Sequence, residues 1–134
     1  MKTFFLFIMI VVTQIGHAQS TESTQTLLPI TNEIRATLAQ SIAVECTLMH
    51  SSKTFAIDGK NAAVFINVVD AMPPSNLSKS LDGIVMFVDN DNNSIDANFY
   101  YGENGESYLE FKVDDHKYYN KLTPTGVEFF GRFK

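Results

Sequence analysis

The stretch from Ile95 to Val113 constrains this chain most, because only one hairpin register keeps its faces apart. Ile95, Ala97, Phe99 and Tyr101 alternate with Asp96, Asn98 and Tyr100. Ser107, Leu109, Phe111 and Val113 alternate with Glu106, Tyr108, Glu110 and Lys112. Period-two patterning of this kind marks two half-buried antiparallel strands. A two-residue turn at Asn104-Gly105 would set Phe99 against Glu110 and cross the apolar face with the wet one. A three-residue loop of Glu103, Asn104 and Gly105 instead sets Phe99 opposite Leu109, Ala97 opposite Phe111 and Ile95 opposite Val113. Gly105 can take the left-handed conformation such a loop needs. Tyr100 then faces Tyr108, and Asp96 faces Lys112, on the opposite side; a one-residue slip would flip them all.

The flanking segments supply the rest of a fold. Ile84 to Val88 is apolar on both faces, as an interior strand covered by a helix would be, and it reaches Ile95 through the polar run Asp89 to Ser94. Pro29 to Ala39 reads as a helix capped by Thr31, with Ile34 and Leu38 four apart. Ile42, Val44, Cys46 and Leu48 alternate with Ala43, Glu45, Thr47 and Met49, which predicts a strand within Ser41 to His50; Thr54 to Ile57 predicts a short second one. Ala62, Ala63, Phe65, Ile66, Val69 and Met72 fall at helical spacing up to Pro73-Pro74, where a helix must stop. Thr123-Pro124 resembles a cap followed by proline at the first helical position, which favours a short helix over 124–133 against a strand of Val127, Phe129 and Phe133. The expectation is a single α+β domain: an antiparallel sheet of about four to six strands, an N-terminal helix, and one or two further helices packed on one face.

The first residues predict an address instead of a structure. Lys2, the uncharged run Phe4 to Ile15 and the small residues of Gly16-His17-Ala18 have the layout of a cleaved secretory signal. The run is shorter than the roughly 20 apolar residues that span a bilayer. Residues 1–18 are therefore expected to be removed, 19–26 to form a polar tether, and 27–134 to form the domain, in the periplasm or outside the cell with no stable membrane anchor. Loss of Lys2 takes the formal net charge of -5 one unit lower. An acidic domain with no basic patch is not expected to bind nucleic acid. The lone Cys46 cannot form an intrachain disulfide and reads as a small buried hydrophobe, so the domain must be held by packing alone. Nothing in the pattern sets an oligomeric state.

Three features carry candidate chemistry. Ten of the thirteen aromatic residues after Ala18 lie beyond residue 98, and Tyr100, Tyr108, Tyr118 and Tyr119 are the ones most suited to a partner surface, since tyrosine combines contact area with a polar tip. Asp89, Asp91 and Asn93 have the one-three-five spacing that opens a calcium loop, although Ser94 and Tyr100 stand where that loop needs glycine and a bidentate glutamate. Asp114-Asp115-His116 places two carboxylates beside an imidazole. Asn76-Leu77-Ser78 and Asn92-Asn93-Ser94 match the glycosylation acceptor pattern, which matters in a eukaryotic host alone. With no triad, phosphate loop or Cys/His cluster, no cofactor is expected. The favoured function is a non-catalytic exported binding or inhibitor module contacting a protein or glycan. The alternative is a small extracytoplasmic enzyme using His116 with Asp114 or Asp115.

Overall fold

The computed structural model describes residues 26–78, 80–102 and 106–133. The signal segment, all but the last residue of the tether and the loop Glu103 to Gly105 lie outside the described residues. In chain order the elements are α1 (Asn32–Leu38), β1 (Ala43–Leu48), β2 (Lys53–Asp58), α2 (Gly59–Phe65) with a 3₁₀ turn over Ile66–Val68, β3 (Gly83–Val88), β4 (Ser94–Tyr100), β5 (Tyr108–Val113), β6 (His116–Lys121) and α3 (Pro124–Gly131). The strands form one six-stranded sheet in the order β2-β1-β3-β4-β5-β6, and every neighbouring pair is antiparallel. The crossover from edge strand β2 to interior β3 is made by α2 and residues 69–82, and the fold is α+β as the patterning predicts.

The hairpin register is the expected one. Ala97 pairs with Phe111, Phe99 with Leu109 and Tyr100 with Tyr108. Val44, Cys46, Leu48, Val85, Phe87, Ala97, Phe99, Leu109 and Phe111 all turn to one face, where Leu38, Ala62, Phe65 and Phe130 cover them. The Phe99 and Phe130 rings stack at 4.4 Å between centroids. Cys46 is among these packed residues, and burial pushes its thiol up to about 12, so it behaves as the inert hydrophobe its isolation suggests. α3 starts as its sequence predicts: Thr123 Oγ1 accepts the Gly126 N–H at 3.2 Å, with Pro124 in the first turn. Gly126 is needed there for space, because a Cβ would sit 2.7 Å from the Val68 carbonyl oxygen.

Two helices are shorter than their apolar spacing predicts, for one shared reason. Residues 26–31 carry no helix before α1, so the helix does not open the described chain; Thr31, itself extended, still caps it, accepting the Ile34 N–H at 3.2 Å. α2 and its 3₁₀ turn end at Val68 instead of continuing to Met72. Both released segments close the outer edge of β6: the Tyr119 N–H donates to the Leu28 carbonyl at 2.7 Å, and the Lys121 N–H to that of Met72 at 2.8 Å. An uncovered strand edge exposes a row of unpaired backbone groups, and satisfying that row outweighs one more helical turn. Asn120, fully buried, fastens both segments, its Oδ1 accepting the Ile30 N–H at 2.9 Å and its Nδ2 donating to the Asp70 carbonyl at 2.7 Å. The Arg35 guanidinium donates to the carbonyls of Val69 and Asp70, both at 3.0 Å, tying α1 to the same place.

Candidate functional site

Strand alternation places Tyr100, Tyr108 and Tyr119 on the sheet face away from the helices, and Tyr118 on the other face beside the core. The four do not form one patch. Tyr108 and Tyr119 are buried, and the cover over Tyr108 is a loop, not a helix. The Ser78 N–H donates to the Tyr108 hydroxyl at 2.8 Å, and Ser75 donates to the Glu106 carboxylate through both its N–H and its hydroxyl. Tyr100 stacks on Tyr108 at 4.9 Å and stays half-buried. Glu110 lies among them, 3.2 Å from Lys117 Nζ and 3.3 Å from Asn98 Nδ2. Burial pushes the Tyr108 hydroxyl up to about 12, and burial followed by the Glu110 charge raises Tyr100 and Tyr119. These hydroxyls are neutral parts of a packed face.

The Asp89 loop is explained by its own hydrogen bonds. Asp89 Oδ1 accepts the N–H groups of Asp91 and Asn93, both at 2.9 Å, and Oδ2 accepts Asn93 Nδ2 at 3.1 Å. The Asn93 side chain, its backbone N–H and that of Asp91 hold the Asp89 carboxyl below its ordinary value. Asp91 and Asn93 point their remaining groups into solvent, and no cluster of three or more His, Cys, Asp or Glu suited to a metal ion occurs among the described residues. Asp114 and Asp115 form the two-residue turn between β5 and β6, with φ of 48° and 63°, the left-handed pair that a type I′ hairpin requires. His116 is exposed, and its Nδ1 lies 2.8 Å from the Asp114 backbone carbonyl, not from a carboxylate.

A smaller cavity of about 180 Å³ adjoins Asp89 and Asn93, and a roomier one lies where the β1–β2 turn, the start of β3 and α3 meet. A cavity of about 360 Å³ opens there, walled by Leu48, Phe99, Phe130 and Phe133, with Tyr101 at its edge. Its polar groups are His50, Ser51 and Asp82. Asp82 is fixed at every backbone atom that can bond, since its N–H donates to the Phe99 carbonyl and its carbonyl accepts the Met49 N–H, both at 2.9 Å. Its side chain, 14% exposed, accepts the Tyr101 N–H on Oδ2 at 2.7 Å and meets His50 Nε2 on Oδ1 at 3.0 Å. The His50 side chain is 71% exposed and forms the outer lip. Ser51 Oγ is buried with no hydrogen-bond partner among the described residues. Serine, histidine and aspartate thus share one corner, yet no hydrogen bond joins Ser51 to His50 among the described residues, and the His50 Nε2 faces the carboxylate. Ser51 and His50 are therefore not coupled as nucleophile and base in this arrangement.

No protein-family model, no curated protein and no solved structure matches this chain. The pocket escaped sequence reading because His50 and Asp82 are distant along the chain and meet only through the β1–β3 register, in which Leu48 pairs with Gly83. The one signal available was a polar residue just outside each of two apolar strands.

Proposed function

We propose that this chain is an exported, non-catalytic binding module that holds a small, largely apolar ligand in the pocket beside α3. The observation that carries the reading is the coincidence of an aromatic-walled cavity of about 360 Å³ with two convergent polar side chains, His50 and Asp82. Small-molecule sites have this makeup, and their volumes start at roughly 300 Å³. Export rests on the Lys2 to Ala18 segment, and N-terminal sequencing of the secreted product should begin at Gln19.

The test is thermal unfolding of protein purified after expression of the full-length chain, with three probes that share one apolar body: n-octylammonium, octan-1-ol and octanoate. A ligand that binds the native state alone raises the Tm in a saturable way. A rise with at least one probe supports the pocket; no rise with any of them overturns it. A protein or glycan partner is the second reading, favoured by Tyr100, whose ring lies at the margin of the helix-free sheet face over Tyr108. On that reading Tyr100→Ala weakens partner capture and leaves probe binding unchanged.

A further inference from the structure

On the reading that this pocket is the ligand site, we infer that its occupant is a hydrophobic amine, an alkyl- or arylammonium whose head meets Asp82. A carboxylate only accepts hydrogen bonds and has about four lone-pair sites. Asp82 uses two of them, for the Tyr101 N–H and for His50. One of those partners is dispensable, because the His50 ring stands mostly in solvent and can turn away without disturbing the core. A carboxylate that is largely withdrawn from water and beside apolar walls gains most from an opposite charge in direct contact.

Two further features favour the same head group. Phe99, Tyr101 and Phe133 line the cavity, and an aromatic ring attracts a cation that reaches a face within about 6 Å, although one face of Phe99 is stacked on Phe130 and one of Phe133 on Phe55. The chain's formal net charge of -5 draws cations and repels anions at long range. A carboxylate ligand of the same length would face Asp82 charge to charge. An alcohol would fill the apolar space and forgo the ion pair. The apolar tail of the amine lies against Leu48 and Phe130.

Calorimetric titration with the three matched probes decides the matter. n-Octylammonium should bind with one-to-one saturation at least about tenfold tighter than octan-1-ol, the gap expected of one hydrogen bond to a charged group, with octanoate the weakest. Asp82→Asn keeps an acceptor for the Tyr101 N–H and should bring the ammonium down to the level of the alcohol. His50→Ala removes the competitor for the Asp82 carboxylate and should widen the gap between n-octylammonium and octan-1-ol. Octan-1-ol or octanoate binding as tightly as n-octylammonium overturns the amine inference and leaves the pocket reading standing. Loss of the preference in His50→Ala overturns it equally, by making histidine the recognising group. Silence from all three probes overturns the pocket reading, and this inference with it.

Discussion

The helix-covered side of the sheet has two polar corners that the same fold finishes differently. At the β6 edge, Asn120 and Arg35 satisfy the backbone of two chain segments, and the Asp70 carbonyl accepts from both side chains at once. At the Asp82 corner, long-range hydrogen bonds are equally short, but lone pairs of the carboxylate are left over beside a cavity. A buried polar group without a partner costs about 1–3 kcal/mol. The β6 corner shows that this chain can satisfy buried groups far apart in sequence; the carboxylate valence left over at the Asp82 corner is what the proposed ligand uses. Ser51 Oγ and Ser107 Oγ are the buried side-chain atoms without a partner among the described residues, and neither oxygen is open to the cavity.

Substitution should separate the two corners by size and by sign. Asn120→Ala is expected to cost about 2–3 kcal/mol in urea unfolding, since it strips the Ile30 N–H and one donor from Asp70 at a fully buried side chain. A cost near zero would mean that the β6 edge is not closed as described. The loop over Tyr108 should resemble the closed corner and reveal itself at high pH. The hydroxyl is raised from 10.0 to about 12, a raised value, so the stability it confers is complete below pH 10 and lost as pH climbs toward 12. The unfolding midpoint should therefore fall across that window, and Tyr108→Phe should flatten the fall. Ser51→Ala should do the opposite of Asn120→Ala and raise stability slightly, by up to about 1 kcal/mol, because it removes an unpaired buried hydroxyl. The smallest effect belongs to calcium: with the Asp89 oxygens already accepting from Asp91 and Asn93, millimolar calcium should leave the Tm unchanged.

What could be read in the sequence was whatever depended on near neighbours. The β4–β5 register followed from alternation and turn length, and α3 from Thr123-Pro124. The end of α2 was illegible because Val69 to Met72 is claimed by β6 and Arg35 instead of by its own helical spacing. The tyrosines were assigned to faces by period two, but the loop that buries Tyr108 comes from residues 75–78, and no local pattern announces that cover. The Asp82 corner was the least legible, since it exists only after β1 and β3 pair.

The central claim is that the Asp82 corner holds the ligand. The most direct measurement is a two-dimensional NMR titration of the full-length chain's purified product with n-octylammonium, following backbone amides and aromatic protons. The account predicts saturable shifts centred on Leu48, Ser51, Asp82, Tyr101 and Phe130, with Tyr100 and Tyr119 unmoved. Shifts centred on Tyr100 and Glu110, or none at the Asp82 corner at saturation, would contradict it.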